Sequence, residues 1–178
     1  MLDNAEKWPL EPDWSDAVLR GNGIEIRSLR GLAQLVVSGD LEAFAERHAL
    51  PASIGALGLA SGDRYTLRLA RDRIAVVGVA ASEAPLGWDS AGYAVTPMSA
   101  ALHVLEISGK AILDLVARAT RIDPRNPGPS AAIDFAGVTS SLYYHDDHET
   151  LRLHFDRGLA SYVWTWLRTQ PWIDESSL

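Results

Sequence analysis

The chain has 178 residues, 47% of them hydrophobic and 22% charged, with a formal net charge of −7. That is enough for one globular domain with a proper core, or two small halves sharing one. The acidic balance argues against nucleic acid as a partner, because phosphates need a basic face. Zero cysteines exclude disulfides, thiolate chemistry and Cys-ligated zinc or iron–sulfur sites.

Residues 1–7 are polar and acidic, with no positive stretch leading into an apolar one, so no signal peptide is expected. No apolar run approaches the ~20 residues of a membrane span. The expectation is a cytoplasmic protein.

Residues 1–23 read as an arm carrying Trp8, Pro9, Pro12 and Trp14, with a short helix over Ser15 to Leu19. The arm either folds back on its own domain or packs on another subunit. A single domain is expected over residues 24–170. Ile24 to Leu29 alternates as a strand, and Leu32 to Val37 is a second. Ser38-Gly39-Asp40 then caps a helix over Leu41 to His48, closed by Pro51. Ala56 to Ala60 is a short strand. Tyr65 to Leu69 and Arg73 to Val77 form a hairpin, and Ala80 to Gly92 a loop.

The second half repeats the plan. Leu102 to Ile107 is a strand, Lys110 to Thr120 a helix, Asp123 to Pro129 a loop, and Ala131 to Phe135 and Val138 to Tyr144 are strands. Leu151, Leu153 and Phe155 alternate with Arg152 and His154 in a closing strand. After the break at Asp156 to Gly158, Leu159, Tyr162, Val163, Trp166 and Leu167 mark one face of a helix. Trp164 falls off that face, so it either rests on a neighbouring element or is offered to a partner. Residues 171–178 are a tail.

The two halves match without a gap: "LAQLVVSGDLEAFAERHAL" (Leu32 to Leu50) against "LHVLEISGKAILDLVARAT" (Leu102 to Thr120). Strand–helix–strand–strand twice, over pseudo-repeats at residues 24–80 and 93–170, predicts an α+β fold with an antiparallel or mixed sheet and helices on one face.

Chemistry-bearing groups are few. His145, Asp146, Asp147, His148 and His154 are the most metal-like set, but Asp146 to Glu149 sits where a hairpin turn favours aspartate on backbone grounds alone. His48 and His103 read as packed or edge histidines. Asp123, Arg125 and Asp134 form either a polar site or a solvated loop. No nucleophile elbow, phosphate loop, dinucleotide fingerprint or zincin helix is present.

"SAALHVLEISGKAILDLVARATRIDPRNP" (Ser99 to Pro127) and "RGLASYVWTWL" (Arg157 to Leu167) resemble the central segment and closing helix of the gamma subunit of heterotetrameric sarcosine oxidases. The resemblance spans Leu32 to Leu167. The chain departs from that family at Thr96 to Ser99, where the family has an Asp-Val-Ser-like run, and at Ala119-Thr120, where it has a cysteine. The resemblance implies a fold similar to the folate-binding aminomethyltransferase domain and a non-catalytic subunit that binds no cofactor or metal. It places NAD and the tetrahydrofolate site in a large alpha subunit, FAD and FMN in beta, and zinc in a small delta subunit. It carries over no catalytic residue. Trp8, Trp14, Trp164 and Trp172 are then the candidate partner-interface residues. Two other readings stay open: a stand-alone folate-binding or one-carbon transfer protein of the same fold, and a small metal-dependent enzyme using the His145 to His154 group.

Overall fold

The structure is a computed structural model that describes residues 12–173. Its strands in chain order are β1 (Val18–Gly21), β2 (Ile24–Leu29), β3 (Gln34–Gly39), β4 (Leu59–Ala60), β5 (Tyr65–Ala70), β6 (Arg73–Val77), β7 (Gly87–Asp89), β8 (Tyr93–Pro97), β9 (Leu102–Ser108), β10 (Ala132–Phe135), β11 (Val138–His145) and β12 (Thr150–Asp156). Helix α1 (Leu41–His48) lies between β3 and β4, and α2 (Ile112–Ala119) follows β9. A 3-10 turn at Arg157–Leu159 leads into α3 (Ala160–Arg168).

The α+β class and antiparallel pairing hold. The strands divide, however, between two sheets instead of one. A seven-stranded sheet runs β1-β2-β9-β12-β11-β10, with β4 parallel to β11, and a five-stranded sheet runs β5-β6-β3-β8-β7. The helices lie on two faces. Ile112, Leu115 and Val116 of α2 and Val163, Trp164 and Leu167 of α3 pack with Ile26, Leu105, Leu151 and Leu153 of the large sheet. Phe44 of α1 packs with Leu35, Val37, Ile74 and Val95 of the small one. Between the sheets Tyr65, Leu67 and Val77 meet Ala131 and Tyr143. The layers are helix, sheet, sheet, helix. Period-two strands have two faces, and over the central strands of both sheets both faces are covered.

The two halves are interlocked. Each opens with a hairpin, β1–β2 or β7–β8, but that hairpin pairs with the central strand of the other half: β2 lies on β9 and β8 on β3. The Ser-Gly corners complete the exchange. The backbone N–H of Asp40 donates to the Gly92 carbonyl at the tip of the β7–β8 hairpin, and Ala111 N–H donates to the Gly23 carbonyl at the tip of β1–β2. Gly39 and Gly109 adopt φ of +107° and +115° there, and a Cβ on either would overlap the carbonyl oxygen of Gly92 or Gly23. Only glycine meets both demands.

Several boundaries differ from the sequence expectation. Ser15 to Leu19 was expected to be helical; Val18–Gly21 is instead a strand paired with β2 through the Asn22-Gly23 turn. The expected loop from Ala80 to Gly92 contains β7, and β8 follows it unforeseen. These strands are three to five residues long, and β7 sits between Pro85 and Gly92, where turn composition dominates.

Candidate functional site

The most elaborate polar arrangement lies between the sheets. Arg152 and His154 alternate with Leu151, Leu153 and Phe155 on β12, so they face the small sheet while the apolar residues face the helices. The hydrogen bonds form one directed chain. Arg152 Nη1 donates to Tyr65 Oη at 3.0 Å. Tyr65 and Tyr143 hydroxyls are 2.8 Å apart, and Tyr143 Oη is 2.6 Å from His154 Nε2. His154 Nδ1 is 2.7 Å from Gln34 Oε1 on β3. An amide oxygen only accepts, so Nδ1 carries the proton and Nε2 accepts from Tyr143. Each hydroxyl then donates to the next group. At the other end Glu106 accepts from Arg152 Nε at 3.1 Å and from Arg27 Nε at 3.0 Å, with a further Arg27 contact through Nη2.

Electrostatics keep this chain neutral at its centre. Burial, aided by the Arg152 charge, pushes His154 down to about 3. Burial raises the Tyr143 and Tyr65 hydroxyls above the usual phenol value. For Glu106 burial acts to raise the carboxyl, but the bonds from Arg27 and Arg152 outweigh it and hold it below the usual value. At neutral pH the two tyrosines and the histidine are therefore uncharged. The chain therefore fixes one sheet against the other; fully satisfied buried networks specify register.

The tryptophans are distributed differently from the sequence expectation. Trp8 lies outside the described residues. Trp14 is half-buried, edge-on to Trp164 at 5.5 Å and to His103 at 4.7 Å. Trp164 is only 6% exposed, so its ring rests on its own chain and little of it is left for a partner. Trp172 is half-buried, with the Arg118 guanidinium over its ring at 5.6 Å. The most exposed tryptophan among the described residues is Trp88 on β7, at 75%, beside Leu86 at 50%. Sequence reasoning missed it because it sits alone in a Pro- and Gly-containing stretch with no periodic neighbours.

The histidine–aspartate group does not converge. His154 points between the sheets. His145 Nδ1 lies 3.0 Å from Asp146, and its Nε2 lies 3.2 Å from the Gly62 carbonyl. His148 packs on Tyr144 at 5.1 Å. Among the described residues no three His, Asp or Glu side chains are grouped to hold a metal ion. Asp123 pairs with its near neighbour Arg125, while Asp134 accepts from Gly137 N–H in the β10–β11 turn, so those two do not form one site. Two cavities adjoin the Met98 to Leu102 corner. One of about 400 Å³ opens between the sheets beside Val36, Leu67 and His154. The other, about 440 Å³, lies under Trp14 and is lined by Arg30, His103 and Arg157.

The geometry defines a two-sheet α+β module with exchanged hairpins, held together by a buried hydrogen-bond network. That fold is the fold of a chain of heterotetrameric sarcosine oxidase. The structure is similar to a chain of the Corynebacterium sp. U-96 enzyme solved in complex with pyrrole 2-carboxylate, with a TM-score of 0.67 and 19% identity. The match covers 84% of this chain and 85% of that one, so the two are of nearly the same length. No family model matches the sequence, and no curated protein sequence matches it. No helix among the described residues is long and apolar enough to cross a membrane.

Proposed function

We propose that the chain is a non-catalytic, gamma-type subunit of a cytoplasmic, flavin-dependent sarcosine oxidase or related N-methyl amine oxidoreductase that passes a one-carbon unit to tetrahydrofolate. The observation that carries this reading is the fold match over almost the whole of two chains of equal length, one of them from a heterotetramer. The inter-sheet network supports it: its polar groups are spent on one another, and its tyrosines and histidine are uncharged at neutral pH, as suits a scaffold. In this reading FAD, FMN, NAD, zinc and the folate site belong to larger alpha and beta subunits and a small delta subunit. The candidate partner-interface residues in this reading are Trp8, Trp14 and Trp172, together with Trp88 and Leu86; the exposed Trp88 ring and Leu86 side chain are the kind of groups an interface core uses.

Affinity purification of the tagged full chain from its host, with mass spectrometry and a visible spectrum, tests this. The expected result is flavin-yellow material with stoichiometric larger partners. A colourless monomer would overturn the subunit reading and favour a stand-alone folate-binding protein, for which calorimetry with tetrahydrofolate is the next measurement.

A further inference from the structure

We propose that the cavity under Trp14 is a binding site for a small organic carboxylate, its anionic group held by Arg30 and Arg157 and its apolar body resting among Trp14, Leu29 and Leu102. The volume, about 440 Å³, is that of a small-molecule site. The walls come from the segment before β1, the end of β2, the start of β9 and the turn into α3, so four separate parts of the chain build it.

The charge balance points to an anion. Arg30 and Arg157 line the cavity against one carboxylate, Asp13. Asp13 is occupied locally, accepting from both the backbone N–H and the hydroxyl of Ser15. Neither arginine takes part in any ion pair among the described residues. The Asp13 carboxyl is held below its usual value first by the Ser15 bonds and last by the charge of Arg30, so the one carboxylate lining the cavity among the described residues is committed mainly to Ser15.

Arg157 is also held in place. Its Nη2 donates to the Ser99 and Leu102 carbonyls at 3.2 and 3.3 Å, which leaves the rest of its five donors for a ligand. A guanidinium fixed in this way can present a fork to a carboxylate at little entropic cost. His103 reports the same field from inside. Burial, and then the charges of Arg157 and Arg30, lower it to about 4. At neutral pH its uncharged ring therefore adds a hydrogen-bonding nitrogen, beside Ser28 Oγ at 3.4 Å, without adding charge.

The test uses benzoate as the probe, titrated into the full-length chain and followed by amide chemical shifts. Saturable shifts at Arg30, Gly31 and His103 are expected, with Kd on the order of 1 mM or tighter. Benzyl alcohol, the uncharged analogue, should give no saturable shifts there. Arg30→Gln should weaken benzoate at least about tenfold, the loss of one charge-assisted hydrogen bond. Arg71→Gln, on the β5–β6 turn, should leave it unchanged. Arg157→Gln should act like Arg30→Gln but also releases the Ser99 corner. Arg30 is exposed, so its variant keeps the test decisive. Linear shifts without saturation, an equal response to benzyl alcohol, or undiminished binding in Arg30→Gln would overturn the proposal. None of these outcomes depends on whether the chain joins a larger complex.

Discussion

The two halves share a backbone plan and finish it by different means. In the large-sheet half, α2 buries Ile112, Leu115, Val116 and Ala119 and has no side-chain cap at its N-terminus. In the small-sheet half, α1 buries Phe44 alone but is capped by Asp40, whose Oδ1 accepts from Ala43 N–H at 3.0 Å. The large sheet gains a second helix, α3, over the same face. A short helix is marginal by itself and must be stabilised from outside. The lesson is that one half does this mainly by burial, whereas the other combines one anchor residue with a local cap.

Phe44→Ala is the sharpest way to break the contrast. Phe44 is fully buried against Tyr93 at 5.2 Å and His48 at 4.4 Å. The loss should be about 3–5 kcal/mol, and hydrogen exchange should show α1 unprotected while α2 keeps its protection. Equal loss in both helices would show that the halves unfold as one unit.

The shared corners should respond alike. Gly39→Ala and Gly109→Ala each place a Cβ on a hairpin-tip carbonyl in a left-handed conformation, and each should cost about 2–4 kcal/mol in urea unfolding. Costs that differ by more than about 1 kcal/mol would contradict the structural equivalence of the corners.

Acid should act most strongly on two histidines of the large sheet, while burial also lowers His48 on α1. His103 and His154, both in the large sheet, are held at about 4 and about 3. These folded values lie below the unfolded one, near 6.5. The unfolded chain therefore binds more protons below pH ~6.5, and stability is full above that pH and falls as the pH drops toward the folded values. Each histidine contributes a slope of up to about 1.4 kcal/mol per pH unit. Urea midpoints between pH ~6.5 and ~5 should fall, and His103→Gln should flatten that decline. A flat wild-type profile would mean the rings are not held neutral.

The smallest effect concerns the cap. Asp40→Ala should cost about 1 kcal/mol, measured by thermal unfolding. Lys110→Ala, at the matching position before α2, should stay within about 0.5 kcal/mol. A similar cost at both would remove the distinction between capped and buried helices.

Much of this was readable in the chain. The bounds of α1, the β5–β6 hairpin and the closing strand–helix unit followed from period two giving way to period 3.6. The Ser-Gly match located both corners. The short strands β1, β7 and β8 were not legible: β1 follows a segment with a helix-like pattern, and β7 lies in a stretch rich in turn residues. The candidate cavity was not legible either: Trp14, Arg30, His103 and Arg157 are separated along the chain, and no spacing rule links them. Trp164 shows the limit of a helical wheel, which marks a residue as off-stripe but not that Trp14 will cover it.

Local physics is what the sequence by itself determined: which residues alternate, where glycine must take a left-handed turn, where aspartate caps a helix. Such preferences act over a few residues and need no partner. The tertiary structure alone decided which sheet each hairpin joins, because β2 finds β9 rather than β3 among strands with the same alternating pattern. It also decided the fate of Arg152 and His154. Alternation shows that a strand has a polar face, but only a second sheet, arriving with Gln34 and Tyr65, makes that face the inside of the protein.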